Sequence, residues 1–343
     1  MMDLSIIVPV YNMASDGKLE YCINSLVDQT LENLEVIAVD DASTDESLEV
    51  LKKLEKEHPG RLKVVASPEN RKQGGARNLG LKEAQGRFIG FMDADDWVMK
   101  DTYEKMLRLA DETGADVVGT DMCLVYEHTM IPTERVANND MAQTGIMDHE
   151  KRKLFLLKPG PLGTKIYARD IFFAKEFRFP ENMAYEDNAT SSEIAMRVKH
   201  FEYLPETNVF YYQHGESTTH HITLKKCEDR MQAMRIMLNY AKENGALEEF
   251  RDVIEYQFSI LFYRNTLFGY MQSDLKKDVT FIRRLGKEMV ESFPDFQKNP
   301  YFEKEVNDYE KKLIRLHLRS TIWFLFIYKL KRISKKIKDK RKA

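Results

Sequence analysis

Residues 86–96 read GRFIGFMDADD, an apolar run that ends in three carboxylates, Asp93, Asp95 and Asp96. The same pattern recurs on the N-terminal side. SIIVPV (5–10) leads into Tyr11 and Asn12, LEVIAVDD (34–41) ends in Asp40 and Asp41, and RLKVVAS (61–67) is a third apolar run. Stretches of helical length separate them, around Lys18–Gln29, Asp45–His58, Gly75–Ala84 and Lys100–Thr113, and ADVVGTDM (115–122) follows as a further strand. Nearly continuous apolar strands alternating with helices predict an α/β fold, with a mostly parallel central sheet covered on both faces. Residues 121–185 are less regular, and from about Leu224 onward only helical patterns remain, which places a boundary near 222.

The chain has 343 residues, 43% of them hydrophobic and 31% charged, enough for one large domain and a helical appendage. Cys22, Cys123 and Cys227 are odd in number and widely spaced, so neither a disulfide framework nor a thiolate zinc site is expected. A reducing cytosol is the simpler setting. The net charge of −3 argues against a nucleic-acid binder, but it hides an asymmetry. Residues 319–343 hold ten Lys or Arg against one Asp, a local charge of +9 that leaves −12 on the rest. Such a tail predicts an acidic surface as its partner. The N-terminal MMDLSIIVPVYN lacks a basic leader and reads as a strand that begins at once.

In an open α/β sheet, ligands lie beyond the carboxyl ends of the strands. The acids of this chain gather there. Crowded carboxylates repel, and a hard divalent cation relieves the repulsion, so D-A-D at 93–95 reads as a site for Mg²⁺ or Mn²⁺. Each acid also has a plainer use: Asp96 suits a helix cap, as do Ser43 and Thr44 after Asp40-Asp41. The stretch GGARNLG (74–80) is neither a dinucleotide fingerprint nor a Walker loop. It reads as a helix start or as a close approach to phosphate, with Arg77 as the donor.

The ordered set VPVYN (8–12), SLVDQT (25–30), VDDASTD (39–45), GGARNLG (74–80) and GRFIGFMDADD (86–96) resembles the N-terminal half of the family-2 inverting glycosyltransferases. The resemblance implies the GT-A nucleotide-diphosphosugar transferase fold. It covers about the first 100 residues, with weaker features to about 220. It implies a catalytic domain over 1–222, divided into a nucleotide-binding half (about 1–120) and an acceptor-binding half (about 121–222). A helical region over 223–343 follows, with a basic amphipathic tail over 313–343.

By the same resemblance, Pro9 and Tyr11 form the lip of the nucleobase pocket, and Asp41 accepts from a pyrimidine N3–H, which implies a UDP-sugar donor, with TDP as the alternative nucleotide. Asp40 lies nearby or supports the strand end. Arg77 contacts the diphosphate side or orients the acids. Asp95 is the direct metal ligand, with Asp93 nearer the ribose or sugar. Further on, GTKIY (163–167) looks like the family segment that ends in Lys-x-Tyr. Tyr185-Glu186-Asp187 resembles the acidic pair whose Asp deprotonates the acceptor hydroxyl, with Glu186 as its neighbour or an acceptor-binding group. The plainer use of that pair is as caps before a helix at Ala189–Val198. In YYQHGESTT (211–219), Ser217 and Thr218 fit a loop that closes over the diphosphate, and His214 stands in place of the usual basic residue as a further metal ligand.

The expected reaction is a single inverting displacement onto a hydroxyl of a glycan or lipid-linked acceptor, in the making of a surface polysaccharide such as capsule, lipopolysaccharide or a teichoic-type polymer. Leu313, Leu316, Trp323, Ile327, Leu330, Ile333 and Ile337 fit one helical stripe interrupted at Ser320, with lysines around its distal part. That predicts peripheral attachment to the inner face of an anionic membrane from the cytoplasm. Packing of Trp323, Phe324 and Phe326 on the protein or across a homodimer is the competing use. The other classes in play are a nucleotidyltransferase acting on a sugar phosphate and a catalytically silent glycan-binding scaffold.

Overall fold

The structure is a computed structural model that describes residues 2–126, 133–213 and 222–340, with side chains described as far as residue 331. The chain divides into two compact units. One comprises Met1–His221 with Arg235–Ala241, and the other Ile222–Met234 with Lys242–Ala343.

The first unit is built on one sheet. Strands β1 (Leu4–Val10), β2 (Leu34–Asp40), β3 (Leu62–Ala66) and β4 (Phe88–Phe91) run parallel in the order β3-β2-β1-β4. Every residue of β1 and β2 is buried, as expected of strands covered on both faces. Helices α1 (Lys18–Val27), α2 (Ser47–Glu57) and α3 (Lys72–Glu83) connect them.

The sheet then changes direction. Strand β9 (Lys165–Ala168) lies antiparallel to β4 and to β6 (Val117–Val125), and β10 (His200–Tyr212) runs parallel to β6. The two-residue β5 (Trp97–Val98) closes the order on β10, while β7 (Glu134–Val136) and β8 (Gly145–Ile146) add short edges. Helices α4 (Thr102–Thr113), α5 (His149–Leu157), α6 (Asp170–Phe173) and α7 (Glu186–Arg197) complete the unit. The stretch that reads as irregular in the sequence thus holds three strands of two to four residues. Over so short a length a period of two leaves no legible pattern.

Pro9 sits inside a central strand, where a missing N–H is normally excluded. Pairing of β1 with β4 ends at Ile7 opposite Phe91, and Ile7 accepts from Met92 N–H at 3.1 Å. Two residues on, Pro9 faces the same side, which β4 has already left. The pyrrolidine therefore stands on the stretch of β1 beyond its pairing with β4.

The second unit is helical: α8 (Leu224–Glu243) apart from Arg235–Ala241, α9 (Ala246–Glu249), α10 (Arg251–Phe258), a π-helical turn over Ser259–Asn265, α11 (Thr266–Gln272), α12 (Val279–Ser292), α13 (Pro300–Glu305), α14 (Asp308–Arg319) and α15 (Thr321–Lys340). Its core contains an aromatic chain from Phe302 through Phe296, Tyr263, His317 and Phe324 to Tyr328. His317 is 3% exposed. Its Nε2–H donates to the Ile282 carbonyl at 3.0 Å, which leaves Nδ1 to accept from the Tyr263 hydroxyl at 2.7 Å. Gly286 makes room for this ring, since a Cβ there would lie 2.8 Å from His317 Cε1.

Extended backbone at Ser320 separates α14 from α15, so the tail is two helices with different exposed faces. Leu313 is buried, whereas Trp323 is 60% exposed. Phe324 packs inward, and Ile322, Trp323, Phe326 and Leu330 face outward. Among the described residues, no helix is long and apolar enough to cross a membrane.

Candidate active site

The ends of β1 and β2 are tied together by side chains. Asn12 holds a left-handed φ of 54°, its N–H donates to Ser43 Oγ at 3.1 Å, and its Oδ1 accepts from Thr44 N–H at 2.8 Å. Met13 N–H donates to Ser47 Oγ at 2.7 Å, and Ala14 N–H to Asp45 Oδ2 at 3.0 Å. Ser43 and Thr44 therefore serve this clasp, and Asp45 rather than either hydroxyl receives the first N–H of α2, that of Ser47. Tyr11, 44% exposed, projects from the clasp with Lys72 Nζ 5.9 Å from its ring centre. Pro9 itself is buried.

Asp40 and Asp41 are both 2% exposed. Asp41 Oδ1 accepts from Arg71 N–H at 2.8 Å, and burial raises its carboxyl despite that bond. Asp40 Oδ2 accepts from Ser43 N–H at 3.2 Å, while its buried Oδ1 has no partner. Ala42, which follows, is held at φ 57°. A buried, unsatisfied carboxylate oxygen beside strained backbone is the kind of feature that folding alone does not favour.

Beyond β4, residues 93–96 form a turn in which Asp96 N–H donates to the Asp93 carbonyl at 3.0 Å. Trp97 anchors the turn from below, fully buried between Tyr21 and Phe210. Asp96 is 7% exposed, and it accepts from Tyr212 N–H at 2.9 Å, so it braces the turn against the end of β10 and caps no helix. Burial first, then Asp95 and Asp93, hold the Asp96 carboxyl well above the ordinary carboxylate range.

Arg77 is the positive centre. It is 5% exposed, donates through Nη1 to Glu186 and through Nη2 to Asp93 Oδ1 at 3.2 Å. Burial would depress this guanidinium, yet Glu186, Asp93 and Asp187 raise it, so it stays charged. Glu186 and Asp187 are the first two residues of α7, which begins three residues earlier than the sequence pattern suggests. Glu186 turns inward and is 3% exposed, while Asp187 is exposed. Asp187 lies close enough to raise the carboxyl of Asp93 and to act on Arg77. The arrangement is one buried cation among several carboxylates: Glu186 is buried, Asp93 half-exposed and Asp187 exposed.

The glycines of α3 pack against protein. A Cβ at Gly74 would collide with the Pro180 carbonyl oxygen, and one at Gly80 with the Ile7 side chain. The residue that motif reading passed over is Asn78, 6% exposed and bonded to Phe179 and Glu181. No apolar stripe marks α3, so nothing in its pattern sets Asn78 apart.

Among the described residues, no three His, Cys, Asp or Glu side chains are grouped to hold a metal ion. His214, Ser217 and Thr218 lie outside the described residues. The donor set that is described nonetheless suits a hard divalent cation. Asp93 and Asp95 carry carboxylate oxygens of the kind such an ion prefers, and Asp95 raises the carboxyls of both Asp93 and Asp96.

Residues 5–160 match the model of glycosyl transferase family 2. EpsH of Bacillus subtilis (strain 168), whose own assignment as a glycosyltransferase is provisional, is 31% identical over 261 residues, covering 74% of this chain and 73% of EpsH. The crystal structure of Staphylococcus aureus TarS 1–349 in complex with UDP superposes with a TM-score of 0.68 at 22% identity, covering 97% of this chain and 92% of that one. A Pyrobaculum calidifontis mannosyltransferase in complex with GDP-Man and Mn²⁺ gives a TM-score of 0.51 at 16% identity, covering 96% and 86%. Fold and site together thus define a GT-A-like sugar transferase. The chain belongs to glycosyltransferase family 2, among relatives of the enzymes that build bacterial surface polysaccharides.

Proposed function

We propose that the chain transfers a sugar from a UDP-sugar, with inversion and with help from Mg²⁺ or Mn²⁺, to a hydroxyl of a glycan or lipid-linked acceptor in surface-polysaccharide assembly. The observation that carries this reading is the division of labour in the Glu186-Asp187 pair. Glu186 is buried against Arg77, and Asp187 stands exposed in the first turn of α7. A base must reach the acceptor proton, and only the exposed member of the pair does so.

The nucleobase end is the clasp of Tyr11, Asp40 and Asp41, where a buried carboxylate accepts from a pyrimidine N3–H and an exposed ring packs on the base. A relative in the same family, TarS of S. aureus, is named a poly(ribitol-phosphate) β-N-acetylglucosaminyltransferase and has been crystallised with UDP-GlcNAc, which supports a UDP donor here. Asp95 and Asp93 would hold the divalent cation, which when bound offsets the charge that grows on the departing diphosphate. Arg77 keeps Asp93 oriented from one side, Asp187 takes the proton of the attacking hydroxyl from the other, and no covalent sugar intermediate is required. By the family resemblance, Ser217 and Thr218 are further candidates to contact the diphosphate and His214 to contact the cation.

The division of roles between a nucleotide half, an acceptor half and a helical region is part of the same proposal. So is attachment to the cytoplasmic face of the membrane through α15. Its outward face joins Ile322, Trp323, Phe326 and Leu330, and the residues from 319 onward carry a charge of +9. That charge favours an anionic bilayer over a second copy, which would bring two basic tails together.

Calorimetry with UDP, GDP, CDP and TDP, each with Mn²⁺ and with EDTA, tests the donor reading. Tight binding of UDP that weakens in EDTA is expected, and absence of nucleotide binding overturns it. An Asp187→Asn protein is expected to bind UDP normally and to lose transfer by about 100- to 10,000-fold. Wild-type turnover by that variant would remove Asp187 from its role.

A further inference from the structure

We infer that Asn78 is a positioning residue for the transfer: its side-chain amide fixes the segment 179–187 on α3 and so sets the carboxylate of Asp187 beside Arg77 and Asp93. The inference rests on the reading of Asp187 as the base.

The segment has little regular structure of its own. Asn182 and Tyr185 are held at left-handed φ values of 61° and 66°, and α7 starts directly after Tyr185 without a side-chain cap. Non-glycine residues stay in that region only where their surroundings over-determine them. Here α3 and the residue before it supply part of those surroundings, beside the packing of Phe179 on Phe91, Phe172 and Phe177. Asn78 Oδ1 accepts from Phe179 N–H at 3.0 Å, and Asn78 Nδ2 donates to the Phe179 carbonyl at 2.9 Å and to Glu181 Oε1 at 3.0 Å. One side-chain amide thus pairs with both backbone groups of a single residue, as a neighbouring strand would.

The flanking contacts work in the same direction. One turn earlier, the bare Cα of Gly74 admits the Pro180 carbonyl. Arg71, which precedes α3, accepts from Asn182 N–H at 2.8 Å through its carbonyl. Arg77 then takes Glu186, the residue next to Asp187. Arg71 also donates its own N–H to Asp41, so the acid at the nucleobase end and the segment bearing the base share one anchor. Within this set Asn78 is the only side chain that satisfies both backbone groups of Phe179, and none of its three bonds reaches a residue proposed to touch substrate.

Three variants test the inference: Asn78→Ala, Asn78→Asp, and Asn78→Asp combined with Glu181→Gln. Each is compared with the wild type for UDP affinity by calorimetry, for hydrogen–deuterium exchange over 179–187, and for kcat and KM of UDP release from UDP-N-acetylglucosamine. For Asn78→Ala, kcat is expected to fall on the order of a hundredfold, because the base is misplaced by a fraction of its reach. The donor KM and the UDP affinity should stay within about threefold of wild type, and exchange should rise in 179–187 while the sheet stays protected. Asn78→Asp loses both donor bonds and sets a carboxylate against Glu181. Glu181→Gln restores a donor to that pair, and the double variant should regain about tenfold of the kcat lost in Asn78→Asp.

Wild-type kcat with unchanged exchange in Asn78→Ala overturns the inference. So does a parallel loss of kcat, UDP affinity and protection throughout the unit, which would mark Asn78 as a general folding residue. Should Asn78→Ala not fold, the recovery between Asn78→Asp and its double variant decides, and no recovery counts against the inference. Exchange is read without substrate, so unchanged protection over 179–187 overturns it whichever sugar the enzyme accepts. Asp187→Asn in the same assay separates the two readings. If that variant turns over normally, the base assignment fails; if it is inactive while Asn78→Ala is normal, only the positioning role fails.

Discussion

The guanidinium of Arg77 on α3 closes against the carboxylate of Glu186 on α7, a pair 109 residues apart in the chain with both side chains under a tenth exposed. Adjacent Asp187 faces solvent instead. Two neighbouring acids are thereby given different environments, one neutralised inside the protein and one left available at its surface.

Breaking the buried pair is expected to destabilise the first unit by about 3 kcal/mol, the low end for a buried ion pair, because Arg77 left without Glu186 keeps its bond to Asp93. Glu186→Ala tests this directly. The chain has two tryptophans, and a Trp323→Phe background leaves buried Trp97 as the sole fluorescent probe of the first unit. A denaturant midpoint unchanged by Glu186→Ala would contradict the expectation. Replacing both Arg77 and Glu186 by apolar residues should lose less than the two single changes together.

Stability of the second unit should fall in mild acid because of His317. Burial lowers its pKa to about 4 from the ordinary 6.5. The unfolded chain therefore binds the proton more readily, so the contribution is complete above about pH 6.5 and is lost as pH falls toward 4. The difference in pKa corresponds to about 3 kcal/mol. Denaturant midpoints followed by Trp323 in a Trp97→Phe background should decline across this window, and His317→Phe should flatten that decline.

Mn²⁺ should stabilise the first unit, and more so as pH rises. Burial and the neighbouring acids raise the carboxyls of Asp93 and Asp96, so in mild acid protons occupy groups that a cation would otherwise share or relieve. At a hundredfold excess over its Kd the ion should add about 2.7 kcal/mol. Thermal unfolding with Mn²⁺ and with EDTA at pH 5 and pH 8 reads this. Asp95→Ala should abolish the difference, and an equal response to Mn²⁺ in that variant would remove Asp95 as a ligand.

Attachment through α15 predicts co-sedimentation with vesicles that contain phosphatidylglycerol, and little with phosphatidylcholine alone. Trp323→Glu together with Phe326→Glu should abolish binding, since both side chains are more than half exposed and lose apolar contact with lipid. High salt should weaken binding of the unaltered protein by screening the basic residues. Equal binding to neutral vesicles, or a concentration-dependent dimer lost in the double variant, would assign the face to another occupant.

Some of this was legible from the chain and some was not, for definite reasons. The strands that end in Tyr11, Asp40-Asp41 and Asp93 were readable because each is a continuous apolar run whose acids stand at one end, and strand order puts those ends together. The switch to helices near Leu224 was readable by periodicity. The antiparallel β9 was not, because four residues carry too little pattern. Nor was the split between Glu186 and Asp187: α7 places its first turn across both, and which one faces inward depends on where Arg77 waits. Asn78 was hidden for a related reason, since α3 packs through missing side chains and leaves no stripe to read.

The sequence by itself determined the fold class, the family and the acids at the strand ends, because these follow from local apolar patterning and short motifs. Which of Glu186 and Asp187 is buried, which is exposed, and what holds the segment that bears them are settled by the folded chain. Those outcomes depend on desolvation and on partners distant in the chain, and no local spacing encodes either.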